Sequence, residues 1–174
     1  MPSAVWPLLL MLSSSGAHAS GLIGKIVPPY PDGLRDAGGT CISESDDYAR
    51  VCDYSIGVLA TADGEDSETD PAAEPALRYV VAAKMAGRDG QSALWKITDA
   101  QPYPKAAEGY QLQFGSCRIQ GKDEERLAAV VRQSMDKEYL RDVIWARQLD
   151  LQSGKLVEVD PAAVDCINEA YFGL

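Results

Sequence analysis

Few side chains in this chain have the chemistry for catalysis, and its only histidine, His18, lies near the N-terminus. An apolar stretch over residues 5–12 precedes it, and residues 17–19 form the Ala-x-Ala pattern that signal peptidase recognises. We therefore predict a signal peptide over residues 1–19, although no Lys or Arg precedes the apolar stretch. The mature chain would begin at Ser20 and contain no imidazole. Imidazole is the usual acid–base group near neutral pH and a common metal ligand, so its loss argues against an enzyme.

The remaining reactive groups do not define a catalytic site. Ser134 and Lys137 match a Ser-x-x-Lys motif, in which the lysine can act as base for a serine nucleophile. The Ser-Asp-Asn and Lys-Thr-Gly elements that accompany this motif are absent. The 26 acidic residues include many carboxylate pairs, but no spacing singles out a pair for glycoside hydrolysis. We expect no catalytic residue and no cofactor.

Four cysteines, an even number in a chain predicted to be exported, indicate disulfides. Three pairings are compatible with the sequence, and we favour Cys41–Cys52 and Cys117–Cys166. The first would close a short loop, and the second would attach the C-terminal tail to a central strand. A zinc site is the alternative, but it is disfavoured because the chain has no Cys-x-x-Cys spacing.

The charge of the chain bears on its partners. The net charge is −10, and it belongs wholly to residues 20–174 because residues 1–19 carry no charged side chain. Such a surface repels nucleic acid and anionic lipid headgroups, and it attracts cationic molecules. The apolar stretch of the leader is shorter than the roughly 20 residues that span a bilayer. We therefore expect a cationic protein partner, no nucleic acid and no membrane insertion.

The pattern of apolar residues predicts a mainly β fold: an antiparallel sandwich or small barrel with minor helix, stapled by disulfides. Residues 20–174 would form a single domain, interrupted by an acidic mobile loop over residues 61–75. The stretch over residues 122–135 fits a helix or a strand, and we favour a strand over 126–133. The other predicted strands span residues 51–60, 77–85, 93–97, 109–119, 143–151 and 156–159, with a helical turn at 136–141 and a short helix at 161–165.

A Ser-Gly turn between the last two predicted strands places Ser153, Gly154 and Lys155 at a hairpin tip. In these three residues the chain resembles the periplasmic inhibitors of lysozyme-type enzymes, which are small, exported, acidic β proteins with a disulfide. The resemblance implies that Ser153 and Lys155 enter the active site of a hydrolase and hydrogen-bond to its catalytic carboxylates. Leu156 stands where the family has tyrosine, and this chain is longer than the members of the family.

Aromatic residues in loops and in the tail are a second indication of a protein partner, because aromatic side chains dominate binding hot spots. Some of them must belong to the core, and we expect Tyr110 to be among those. The candidates for partner contact are Tyr103, Tyr139, Tyr171 and Phe172.

Together these features predict a periplasmic inhibitor or immunity protein that binds and blocks a cationic toxin or cell-wall hydrolase. One alternative is a structural or accessory envelope protein. Another is a β-barrel that carries a small apolar ligand in a cavity lined by Tyr79, Trp95, Phe114 and Trp145. A hydrolase driven by paired carboxylates is the third.

Overall fold

The structure is a computed structural model that describes residues 17–45, 52–62 and 76–173. The described part of the chain is built mainly of short and medium-length strands. They are β1 (Ile26–Val27), β2 (Leu34–Ile42), β3 (Tyr54–Thr61), β4 (Leu77–Asp89), β5 (Ser92–Pro102), β6 (Tyr110–Phe114), β7 (Cys117–Ile119), β8 (Lys122–Asp123), β9 (Leu127–Arg132), β10 (Tyr139–Leu140), β11 (Val143–Asp150), β12 (Lys155–Glu158) and β13 (Val164–Ile167). Two four-residue helices, α1 (Ala17–Ser20) and α2 (Glu169–Phe172), and a 3-10 turn (Pro161–Ala163) complete it.

The strands form three antiparallel sheets. The large sheet has the order β1-β5-β4-β3-β2, the central sheet β12-β11-β9-β6, and the disulfide sheet β10-β13-β7-β8. One apolar cluster joins the large sheet to the central sheet, and a second joins the central sheet to the disulfide sheet. The predicted fold class is therefore confirmed: the protein is mainly β, antiparallel and disulfide-stapled, with little helix.

Strand β9 shows why the central sheet is the middle layer. Its residues Leu127–Val131 are all buried, with at most 1% of any residue exposed. Ala128 packs toward the large sheet, while Leu127, Ala129 and Val131 pack toward the disulfide sheet. A continuous apolar run is what a strand buried on both faces requires. The favoured assignment of residues 126–133 as a strand is confirmed.

Two sequence predictions in this half of the chain were wrong. The predicted strand over 109–119 is two strands in different sheets, because the chain leaves β6 at Gly115, which has φ of +68°. The predicted helical turn at 136–141 contains strand β10, which pairs with β13 through Tyr139↔Ile167. In both places the structure depends on pairing with distant segments that local periodicity does not encode.

The predicted short helix at 161–165 is correct only in its first half. Asp160 caps a 3-10 turn, and its carboxylate accepts a hydrogen bond of 3.0 Å from the Ala162 N–H. Val164 then enters strand β13, where it pairs with Ile119 of the disulfide sheet. The capping aspartate and the proline act as expected, but strand pairing ends the helix after one turn.

Both predicted disulfides are present. Cys117 and Cys166 are direct partners across β7 and β13, and both are buried. Cys41, at the end of β2, is exposed and is joined to Cys52 just before β3. One disulfide therefore lies inside the second apolar cluster, and the other clips an edge strand at the surface.

The outer face of the large sheet is covered by the segment that follows the predicted signal peptide. Leu22 and Val27 are buried against Leu59, Val81 and Ile97. Residues 1–16 of the predicted leader lie outside the described residues. Residues 63–75 of the acidic segment 61–75 also lie outside the described residues. The two ends of this segment are joined by a hydrogen bond of 2.9 Å from the Thr61 N–H to the Ala76 carbonyl.

A charged cluster joins the start of β9 to β11 and makes stability depend on pH. The Glu124 carboxylate accepts hydrogen bonds of 2.7 Å from both Nε and Nη2 of Arg126, and another of 2.7 Å from the Gln148 amide. The hydrogen bonds from Arg126, with its charge, lower the pKa of Glu124 against the opposing effect of burial.

We predict that Glu124→Gln lowers the free energy of unfolding by about 1 kcal/mol at pH 7, a modest value because the pair is partly exposed. A lowered folded-state pKa stabilises the protein above the unfolded-state pKa, and this stabilisation is lost as the pH falls through the folded value. The difference between variant and parent should therefore shrink between pH 5 and pH 3. Urea unfolding at pH 5 and pH 3 measures this difference. Glu125 is exposed, and Glu125→Gln is the control. A difference that is unchanged at pH 3 would contradict the assignment.

Candidate functional site

The predicted hairpin tip is organised by a carboxylate three residues before Ser153. Asp150, at the end of β11, accepts hydrogen bonds from the Ser153 hydroxyl at 2.5 Å and the Ser153 N–H at 3.1 Å. It also accepts one from the Gln152 N–H at 3.2 Å. The hydrogen bond from Ser153 is the main reason that the pKa of Asp150 is lowered. The Ser153 hydroxyl is thus engaged inside the turn.

The same hairpin rests on the large sheet. Gly154 is buried with φ of +69°, and a Cβ added to it would lie 3.0 Å from Cβ of Thr98 in β5. One residue further along β5, the Asp99 carboxylate accepts a hydrogen bond of 2.9 Å from the Leu156 N–H. Lys155 is exposed beside this contact. The tip is therefore docked, with the lysine side chain directed away from the core.

Tyr103 lies apart from the hairpin tip. It is half-buried at the edge of the cluster between the large and central sheets, and its N–H donates to the Arg78 carbonyl at 2.9 Å. Burial raises the pKa of the Tyr103 hydroxyl. These contacts make Tyr103 part of the packing between the sheets.

Tyr139 lies on the disulfide sheet and covers a salt bridge. The guanidinium carbon of Arg118 lies 3.7 Å from the centre of the Tyr139 ring. Arg118 also forms a two-pronged salt bridge with Asp165, at 2.7 and 2.9 Å. This stacked arrangement fixes the tyrosine ring on the outer side of the sheet, since planar guanidinium groups favour both contacts at once.

Among the described residues, the C-terminal tail carries the two most exposed aromatic side chains. Tyr171 and Phe172 on α2 are 50% and 49% exposed, and their rings meet edge to face with centroids 5.3 Å apart. The tail is held by Asn168, which is only 1% exposed. The Asn168 amide donates hydrogen bonds of 2.6 Å to the carbonyls of Ser134 and Lys137.

Asn168 thereby joins two segments that carry exposed apolar side chains. Met135, between the two carbonyls that accept from Asn168, is 83% exposed. The Asn168 N–H also donates to the Glu138 carbonyl at 3.0 Å, next to Tyr139. We call Met135, Tyr139, Tyr171 and Phe172 the tail surface.

The structure thus divides the predicted contact residues into three places. Tyr139, Tyr171 and Phe172 belong to the tail surface, Ser153, Gly154 and Lys155 lie against the large sheet, and Tyr103 lies between sheets. Sequence reasoning missed Met135 and Asn168. Met135 lies inside the Ser-x-x-Lys match, where the Ser134 hydroxyl donates to Asp136. No local pattern marks Asn168, because its acceptors lie more than thirty residues away.

Within residues 17–45, 52–62 and 76–173, no group of three or more His, Cys, Asp or Glu is placed to hold a metal ion. The described helices are all too short to cross a bilayer. No protein-family model, curated protein or solved structure matches the chain.

Proposed function

We propose that the protein is exported to the periplasm and acts there by binding, as an inhibitor or immunity protein that blocks a cationic toxin or cell-wall hydrolase. The observation that carries the proposal is the half-exposed Tyr171–Phe172 pair, set directly after a buried disulfide and a buried asparagine anchor. Large aromatic side chains on an ordered support lose little conformational entropy on binding, and they supply most of the energy of protein interfaces.

The distribution of charge supports a cationic partner. The acidic segment over residues 61–75 carries six carboxylates and no Lys or Arg, so it accounts for −6 of the net charge of −10. Concentrated charge of one sign speeds association with an oppositely charged protein, and the effect falls as salt rises. We infer that this segment steers the partner and that the tail surface holds it.

The hairpin tip of residues 153–155 contributes a secondary contact in this proposal. Lys155 is exposed and can donate to a carboxylate in the cleft of the hydrolase. The Ser153 hydroxyl orders the turn by donating its hydrogen bond to Asp150. It can donate to a partner only if that contact opens. Lys155→Ala should therefore weaken inhibition more than Ser153→Ala.

The test measures inhibition of a panel of purified cationic lysozymes and peptidoglycan amidases. Enzyme activity is monitored as the clearing of cell-wall suspensions. We expect the mature protein to inhibit at least one of them near stoichiometric concentration, and less well at 300 mM than at 50 mM salt. The Tyr171→Ala/Phe172→Ala double variant should raise the inhibitory concentration about 30-fold, which corresponds to about 2 kcal/mol.

A matched control is available on the central sheet, where Ile144 and Val157 are 43% and 41% exposed. The Ile144→Ala/Val157→Ala double variant should inhibit within threefold of the parent. The proposal is wrong if no enzyme of the panel is inhibited at tenfold molar excess. The assignment of the contact to the tail surface is wrong if the aromatic and control variants inhibit alike.

A further inference from the structure

A pocket of about 290 Å³ lies on the outer face of the large sheet, far from the tail surface in the fold. Its floor consists of β2, β3, β4 and β5 residues, and its wall includes Val27 and Tyr30 of the N-terminal segment. Of the four residues expected to line a ligand cavity, Trp95 lines this pocket. Phe114 and Trp145 pack instead in the cluster on the opposite side of the sheet.

The pocket exists because small residues meet in register across three strands. Gly39 pairs with Gly57, which pairs with Val81, and in the next outward-facing row Cys41 pairs with Ser55, which pairs with Ala83. Neither glycine carries a side chain, so the backbone is bare here, and β2 and β3 lie so close that a Cβ on Gly39 would meet the Ile56 carbonyl oxygen at 2.4 Å. A floor of this kind lets a flat molecule approach the sheet closely.

One carboxylate stands in the lining. Asp36 accepts a hydrogen bond of 2.9 Å from the Gly38 N–H through Oδ1, and one of 3.4 Å from the Tyr30 hydroxyl through Oδ2. Burial and the neighbouring Asp36 charge raise the pKa of Tyr30 to about 12, so its hydroxyl stays protonated and donates. Each carboxylate oxygen has a second lone pair and can accept a further hydrogen bond from a ligand.

We propose that this pocket binds a small organic cation, an amine attached to one or two apolar rings, with its ammonium group at Asp36 and its rings over the glycine floor. Trp95 and Tyr30 are in the lining, and aromatic rings attract cations as well as apolar groups. The volume of about 290 Å³ lies just below the usual range for ligand pockets, about 300 to 1,000 Å³, so the ligand must be small. The net charge of −10 also disfavours an anionic ligand.

Isothermal titration calorimetry with three matched probes tests this proposal: 2-phenylethylamine, 2-phenylethanol and 3-phenylpropionate at pH 7. They share a phenyl ring and a two-carbon chain, and they carry a cation, a neutral hydroxyl and an anion respectively. We expect the amine to bind at least tenfold more tightly than the alcohol, and the propionate to show no binding at millimolar concentration.

Two variants locate the site. Asp36→Asn should remove the tenfold higher affinity of the amine and leave the affinity of the alcohol within threefold of its parent value. Asp32 is an exposed carboxylate on the same segment, and Asp32→Asn should change neither affinity. Ser55→Leu places a side chain in the pocket and should abolish binding of both probes, with circular dichroism confirming that the variant is folded. The proposal is overturned if no probe binds the parent, if the propionate is preferred, or if the amine binds the Asp36→Asn variant as tightly as the parent.

Discussion

Replacing Cys117 and Cys166 together by alanine is expected to lower the free energy of unfolding by about 4 kcal/mol, because the disulfide closes a loop of 49 residues. A cross-link restricts the unfolded chain, and its effect grows with the logarithm of loop length. Both cysteines are also buried in the cluster that joins the central and disulfide sheets, so their loss removes packing as well. This is the largest single effect on stability that we expect.

The second disulfide provides the control. Cys41 and Cys52 close a loop of 11 residues, and the same relation gives about 3 kcal/mol for the Cys41→Ala/Cys52→Ala variant. Urea unfolding of the mature chain under oxidising conditions should rank the parent first, this variant second and the Cys117/Cys166 variant last. The reverse order for the two variants would contradict the account of the second cluster as a disulfide-dependent core.

The same pair of variants separates stability from binding. Cys166 immediately precedes the tail, and two residues later Asn168 holds it to the loop that carries Met135. Loss of the Cys117–Cys166 bond should therefore weaken hydrolase inhibition at temperatures where the protein remains folded. Loss of the Cys41–Cys52 bond should leave inhibition near that of the parent.

Alternation predicted most strands because each of them is apolar on a face that packs against another layer. Residues Tyr54, Ile56 and Val58 of β3 show this pattern, and all three are buried. The prediction was wrong at residues 109–119, where the apolar residues shift from even to odd positions as the chain passes from the central sheet to the disulfide sheet. Sheet membership depends on partners that are distant in sequence, so a local pattern cannot supply it.

The sequence predicted individual residues of the candidate site but not how they are brought together. Exposed aromatic residues near the C-terminus could be named from the sequence, but the tail surface is assembled by Asn168, whose hydrogen bonds bridge distant segments. At the hairpin tip the sequence does carry a local signal. Aspartate in a turn commonly accepts a hydrogen bond from the backbone N–H two residues on, as Asp150 does from Gln152.

Gly39→Ala is expected to be the most damaging small substitution, with a loss of about 3 kcal/mol in the free energy of unfolding. A Cβ at this position would lie 2.4 Å from the Ile56 carbonyl oxygen and 2.7 Å from Cα of Gly57. Both atoms belong to the backbone of β3, so neither a rotamer change nor a small side-chain shift can relieve the clash. The edge strand β2 would have to move away from the sheet, and the pocket floor would move with it.

The neighbouring glycine makes the comparison informative. A Cβ at Gly57 would lie 3.2 Å from the Gly38 carbonyl oxygen, so Gly57→Ala should cost clearly less stability than Gly39→Ala. Thermal and urea unfolding of both variants measure the difference, and calorimetry with 2-phenylethylamine reports on the pocket. If Gly39→Ala were as stable as the parent, β2 would not lie against β3 as closely as the pairing of Gly39 with Gly57 requires. The glycine floor on which the proposed cation site depends would then be wrong as well.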